Sequence, residues 1–252
     1  MTEDTLNNDR ISKVMFGARV QTLERLKLLY NQEYFGNEEL AKDREMMYRQ
    51  EFQRLRAYFN LDMGGNILDI GCGTGGFLSQ FDATWRKYGI EISDYARGIA
   101  RSRGIVTDFE LQDDFFDLIL FRGTLQHIPD PVSKIEDCYY WLKNGGGIAF
   151  LATPNTNSIY YKFFNSLPML GEAYNFLLPS DTMLQQILTN FGFKIKGFEY
   201  PYADTPYARP MKDVMLFLMK LLRIRKDATF AFYRNVMECY AAKEHVHNDD
   251  HH

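Results

Sequence analysis

The segment "NILDIGCGTGGFL", residues 66–78, constrains the fold of this chain more than any other stretch. An apolar run ends at the acid Asp69, and four glycines (Gly71, Gly73, Gly75 and Gly76) follow within six residues. Glycine reaches backbone conformations closed to other residues and lets the main chain come close to a ligand. A buried strand that runs into such a cluster and then into a helix is the corner on which open α/β sheets hold small ligands. Two templates fit the letters. Gly71-x-Gly73-x-x-Gly76 matches the dinucleotide fingerprint. Asp69-x-Gly71-x-Gly73-x-Gly75 points to a different ligand.

The chain around this corner alternates in the same way. Strands are expected at Ile67–Ile70, Tyr88–Ile92, Ile105–Asp108, Phe116–Phe121 and Gly147–Ala152, with helices over about 76–84, 94–102 and 132–142. Such β–α alternation predicts an α/β fold, a doubly wound and mostly parallel sheet with helices on both faces. Residues 9–60 read as two helices joined by a turn at "NQEYFGN". After "ATPN" the rhythm stops and an aromatic-rich stretch follows. A helix capped by Ser180 or Asp181 then runs to Gly192. "FKIKGFEY" predicts a strand, "MKDVMLFLMKLLRIRK" a helix and "NVMECYAAK" a last strand. The expected organisation is an N-terminal helical segment over 1–60, a main domain over 61–243 with a lid at about 155–210, and a disordered tail over 244–252.

Composition narrows the function. A net charge of −4 with interspersed signs argues against electrostatic binding of nucleic acid. Three scattered cysteines fit neither a disulfide framework nor a zinc site, so no metal is expected. The polar N-terminus resembles no targeting peptide, and no apolar run approaches a membrane span, so a cytoplasmic location without an integral membrane segment is expected. Four of the five histidines lie in the tail, which leaves His127 alone inside the expected fold.

Asp69 discriminates between the ligands. A dinucleotide loop aims backbone N–H groups at two phosphates, and an acid at the strand end would repel them. S-adenosylmethionine has no phosphate. It carries a positive amine and a sulfonium, whose charge Asp69 offsets. Glu91 lies 22 residues further on (91 − 69), at the end of the second strand, where a carboxylate accepts both hydroxyls of a ribose. That spacing fits NAD as well and marks the ribose alone.

Four motifs in order, "ILDIGCGTGGFL", "YGIEIS", "FDLILFRGTLQHIPDP" and "WLKNGGGIAFLATPN", closely resemble class I S-adenosylmethionine-dependent methyltransferases over about residues 60–155. The resemblance implies a Rossmann-like seven-stranded sheet of order 3-2-1-4-5-7-6 with the last strand antiparallel. It also implies S-adenosylmethionine as cofactor and S-adenosylhomocysteine as product. Carried over residue by residue, Asp69, Gly71, Cys72, Gly73 and Gly75 line the methionine part, Glu91 holds the ribose and Ile92 packs on the adenine. Asp108 with Phe109 meets the adenine amine, with Asp113 as competitor, and Arg122 and Gly123 lie on the sulfonium side.

Past the fourth strand, His127 sits where a general base would face the methyl group, although capping the helix is an equally ordinary use of a histidine there. Aromatics after the fifth strand, including Tyr160 and Tyr161, suit an acceptor lid, and Arg209 suits an acidic group on the substrate. Tyr34 suits closure over the cofactor. The lid sequence looks like that of methyltransferases of bacterial sugar and surface-polysaccharide pathways. The expectation is therefore O-methylation of a sugar or nucleotide-sugar-like small molecule, with a homodimer left open. The alternatives are a quinone or lipid acceptor, a non-catalytic S-adenosylmethionine-binding protein and an NAD-dependent oxidoreductase.

Overall fold

The computed structural model describes residues 13–14, 30–35, 38–167 and 175–244. At its centre is a six-stranded sheet. Strands β2 (Gly65–Ile70), β3 (Trp85–Ile90), β4 (Phe116–Arg122), β5 (Leu142–Pro154), β7 (Phe193–Glu199) and β8 (Val236–Lys243) lie in the order β3-β2-β4-β5-β8-β7. The first four run parallel, and β8 is antiparallel to both β5 and β7. The expected seventh strand, Ile105–Asp108, is reduced to one parallel bridge, Tyr88 to Val106, at the outer edge. With that bridge as the outermost strand, the order is the one expected from the sequence. A separate two-residue pairing joins β1 (Lys13–Val14) to β6 (Leu177–Leu178).

Alternation along the strands sorts the core into two layers. Leu68 and Ile70 of β2, Ile119 and Phe121 of β4, and Ile148 and Phe150 of β5 share one face. Two helices cover that face: α4 (Pro131–Trp141), through Ile135 and Cys138, and α6 (Asp181–Asn190), through Met183, Leu184, Ile187 and Leu188. Ile67, Leu118, Leu120, Ala149 and Leu151 point the other way, against α2 (Glu38–Tyr58) and α3 (Asp94–Ser102). Successive strand residues face opposite sides, so Asp69, between Leu68 and Ile70, is directed to the α2 side.

The helices start where the local chemistry dictates. Ser93 caps α3 by accepting from Ala96 N–H. Asp130, followed by Pro131, caps α4, and Ser180 caps α6 by accepting from Met183 N–H. Short helices α1 (Gln32–Phe35), α5 (Ile159–Phe164) and α7 (Pro210–Leu221) complete the described chain.

Three local expectations are corrected. The helix over 76–84 is only a 3-10 turn at Leu78–Gln80, because Phe77, Leu78 and Phe81 are all buried in the α2-side layer and Asp82 turns the chain by accepting from Thr84 N–H. "NQEYFGN" holds the single-turn helix α1 instead of a plain turn. Lys13 and Val14, expected as helix, pair as strand; most of the remaining 9–29 segment, and the tail from 245, lie outside the described residues. Among the described residues, no helix is long and apolar enough to cross a membrane.

Helix α2 is fastened to the sheet by charge as well as by packing. The Arg54 guanidinium donates twice to Glu238 on β8, at 2.8 and 2.7 Å, and once to Asp204 at 2.9 Å. Glu238 is fully buried and also accepts from Tyr240 Oη. Removing one partner of a buried pair leaves a desolvated charge, which costs about 3 kcal/mol or more. Arg54→Met should therefore lower the denaturant midpoint strongly, and Arg54→Met with Glu238→Gln should recover part of the loss. Chemical denaturation of the two variants tests this, and equal midpoints for the two would disprove it.

Candidate functional site

The corner at the end of β2 is tied to its neighbour. Gly71 N–H and Cys72 N–H both donate to the Ile90 carbonyl at the tip of β3, at 2.7 and 3.2 Å. Gly71 has φ +83°, and a Cβ there would lie 2.3 Å from Thr124 Oγ1 on the loop after β4. Gly75 has φ +77°, and a Cβ would fall 2.0 Å from Ile105 Cδ1. At both positions a side chain would meet backbone strain and a filled space together, so these glycines bring three strand ends into one corner.

Asp69 is 1% exposed, and its Oδ1 has no hydrogen-bond partner. Burial pushes its pKa from the ordinary 3.8 up to about 7, with Arg122 opposing and Glu91 and Glu51 adding to the rise. Arg122, the last residue of β4, does not salt-bridge Asp69. It is held by Glu51 of α2, with Nε at 2.5 Å and Nη2 at 3.1 Å, and it lies over the Tyr48 ring at 4.4 Å. Glu91, just past β3, accepts from Gly73 N–H and Ser93 N–H, both at 2.8 Å, so it braces the glycine loop against the start of α3.

These groups surround a cavity of about 360 Å³ over the C-terminal ends of β2, β3 and β4. Of the residues expected from the sequence, Asp69, Gly71, Cys72, Gly73, Glu91, Ile92, Arg122, Gly123, His127 and Tyr34 line it. Gly75 lies behind the wall against Ile105. Asp108 turns outward and pairs with Arg101 at 2.5 Å, and Phe109 packs on Tyr88 in the core. Asp113 is exposed and outside the lining. Tyr160 is fully buried in a separate aromatic cluster with Phe164, Phe230 and Phe232. Tyr161 is buried outside the cavity lining, and Arg209 precedes the first turn of α7.

His127 ends a 3-10 turn. Its Nε2 is 3.3 Å from Gln126 Nε2, which also donates to the Gly123 carbonyl at 3.0 Å. Which of the two nitrogens donates depends on the tautomer of the ring, and the contact fixes the ring's orientation. The ring packs edge-on to Tyr30, with centroids 6.2 Å apart.

The lining fits S-adenosylmethionine. The buried oxygen of Asp69 lacks a partner that an ammonium would supply, and Glu91 keeps acceptor capacity at the tip of the neighbouring strand. Two cations of the wall, Arg122 and Lys134, are each paired with a carboxylate, Glu51 and Asp137. A pyrophosphate would meet Asp69 and Glu91 instead. A family model described as "Methyltransferase domain" matches residues 40–196. The chain belongs to this methyltransferase family. It is 31% identical to a ubiquinone biosynthesis O-methyltransferase of Azoarcus sp. over 172 residues, covering 58% of this chain and 72% of the relative. In fold it resembles an S-adenosylmethionine-dependent methyltransferase of Thermotoga maritima described as a possible histamine N-methyltransferase. There the TM-score is 0.58 at 20% identity, covering 84% of this chain and 98% of the other. A second S-adenosylmethionine-dependent methyltransferase, from Archaeoglobus fulgidus, gives a TM-score of 0.55 at 18% identity and covers 86% and 99%. The chain is a methyltransferase whose cofactor is S-adenosylmethionine.

In this methyltransferase one wall of the cavity comes from outside the motifs. Arg44 and Tyr48 line it from α2, and Tyr30 and Phe35 line it from the segment before. Arg44, Tyr48 and Glu51 stand at i, i+4 and i+7, one helical face. Polar residues breaking into the apolar stripe of an amphipathic helix are the signal in the sequence that would have found them.

The state of Asp69 governs a pH effect. A carboxyl raised on folding stabilises the fold at low pH, and this contribution is lost as pH rises from 3.8 through about 7, in all up to about 4 kcal/mol. A cationic ligand gains what the empty fold loses. The affinity for S-adenosylmethionine should therefore rise with pH through about 7, and Asp69→Asn should weaken binding and flatten that profile. Calorimetry across pH 5.5–8.5 checks this, and an Asp69→Asn profile as steep as that of the wild type would refute it.

Proposed function

We propose that this chain methylates an oxygen of a small neutral acceptor. The observation that carries the reading is the buried Asp69 carboxyl, one oxygen of it unpartnered, in one cavity lining with Glu91 at the tips of adjacent parallel strands. Asp69 takes the ammonium end of the cofactor, Glu91 its ribose, and Ile92 its adenine, while Tyr34 and Phe35 close the outer side. S-adenosylmethionine supplies an electrophilic methyl group on a sulfonium. Arg122 can stand near that cation because Glu51 neutralises it.

Alignment and exclusion of water then carry most of the rate. Bound S-adenosylmethionine would supply the methyl group, and His127, on the wall of the same cavity, would take the proton of the acceptor hydroxyl. The contact between its Nε2 and Gln126 holds the ring in place. The Azoarcus relative's name favours a hydroxylated ring of the quinone-precursor kind as acceptor. A sugar acceptor was expected from the lid sequence, and two of the aromatics behind that expectation, Tyr160 and Tyr161, lie outside the cavity lining.

Calorimetry should give micromolar binding of S-adenosylmethionine and S-adenosylhomocysteine and none of NAD. Glu91→Ala should weaken the first two about tenfold or more, as loss of hydrogen bonds to a charged group does. His127→Ala should lower kcat by roughly a hundredfold or more while leaving cofactor affinity within about twofold. Binding of NAD alone would sink the cofactor assignment, and full turnover of His127→Ala would leave this residue a structural part of its turn.

A further inference from the structure

A second cavity, of about 190 Å³, lies over the ends of β5 and β8. It abuts the first. Gly123 lines the first cavity and Ala152 the second, and a Cβ on Gly123 would lie 3.9 Å from the Ala152 carbonyl oxygen. The Arg122–Glu51 pair spans the partition, with Arg122 lining one side and Glu51 the other. Tyr207, in the second lining, feels the charges of both Arg44 and Arg122 from the first.

The floor holds Asn235. This side chain is 6% exposed, yet neither its Nδ2 nor its Oδ1 has a hydrogen-bond partner. Because both atoms are unpartnered, the conclusion does not depend on which way the amide is turned. A buried amide left wholly unpaired costs free energy, and the surrounding structure holds it there. Its backbone is fixed from both sides: its N–H donates to the Phe232 carbonyl, and its carbonyl accepts from Asn155 N–H. Two residues other than glycine have left-handed backbone nearby: Arg234 (φ +64°), directly before it, and Ala152 (φ +50°), in the same lining. Strain of this kind persists where the fold over-determines a site.

The chemistry of the cavity limits its occupant. Its charges are already paired, Arg54 with Glu238 and Asp204, and Glu51 with Arg122. Neither guanidinium is left for a phosphate. Phe232, Pro154 and Val236 give it apolar walls. The amide alone still asks for a partner, and it asks for an acceptor and a donor on neighbouring atoms.

We propose that this second cavity holds the acceptor ring and that Asn235 sets its specificity, by gripping two neighbouring hydroxyls of a neutral ring, of which the one turned to Gly123, where the two cavities meet, receives the methyl. The proposal rests on the methyltransferase reading above. A sugar and a hydroxylated aromatic ring share this chemistry, so the test carries both.

The test uses the full chain with methyl-labelled S-adenosylmethionine and four probes: catechol, phenol, methyl glucoside and UDP-glucose. Saturation-transfer NMR follows probe binding in parallel. One or both neutral vicinal probes should be methylated, catechol at least about tenfold better than phenol if the ring is aromatic, and UDP-glucose should be the poorer sugar. Asn235→Leu should raise KM for the accepted probe about tenfold, and should erase any catechol-over-phenol preference, with cofactor affinity unchanged by calorimetry. Should Asn235→Leu fail to fold in a thermal melt, Asn235→Ala carries the same comparison. An unchanged KM in a folded variant overturns the proposal. So does a preference for UDP-glucose, or a chain that binds S-adenosylmethionine but neither binds nor methylates a vicinal probe. Failure to bind S-adenosylmethionine at all would instead strike the underlying reading.

Discussion

Much of the arrangement follows from putting one acid, Asp69, where water does not reach. It stands on a central strand between β3 and β4, on the face closed by α2, with one carboxylate oxygen unpartnered. A buried ion pair with Arg122 would have been the local remedy. The guanidinium is drawn instead to Glu51, so Asp69 keeps its demand for a cation. That division of charge makes the corner a receptor for a positively charged ligand and repels a phosphate. The glycines permit the corner, and the acid decides what enters it.

Those parts of the site that local chemistry determines were legible in the sequence. Asp69, near the end of β2, and Glu91, just past β3, stand at neighbouring strand tips, as their 22-residue spacing suggested. The cap at Ser180 follows from the same kind of pattern, whereas the sheet order and the antiparallel last strand were implied by the family resemblance. Tertiary choices were not legible. Asp108 was expected in the site, but the chain between α3 and β4 contributes a single bridge, so Asp108 points outward to Arg101. The helix after the glycines gives way to a 3-10 turn because the core contacts of Phe77, Leu78 and Phe81 outweigh propensity.

Helix α2 shows why such information is hard to read from a sequence. Its residues serve two masters on one face. Tyr48, Phe52 and Leu55 pack on the sheet, while Glu51 and Arg54 reach across strand ends to groups 71 and 184 residues away in sequence. In the sequence this is a densely charged amphipathic helix of the kind that usually faces solvent. Only the fold shows that Glu51 and Arg54 face inward, and that the groups they meet, Arg122 at the end of β4 and Glu238 on β8, come from different strands.

The same ion pairs explain why fold and chemistry are not separable here. Arg54 with Glu238 and Arg122 with Glu51 cost desolvation, and replacing such pairs by well-packed apolar residues is often neutral or stabilising. Stability alone is therefore a weak reason to keep them. What they do provide is neutrality at the partition between two cavities: Arg122 comes near the cofactor side without opposing a sulfonium, and Glu51 and Arg54 line the other side without attracting ions. The transfer proposed above, of methyl from a cation to a neutral oxygen, would need this combination, a field that holds the donor on one side and none that favours a charged competitor on the other. On this argument the charged seam along α2 is better understood as part of the specificity of the reaction than as a brace for the fold.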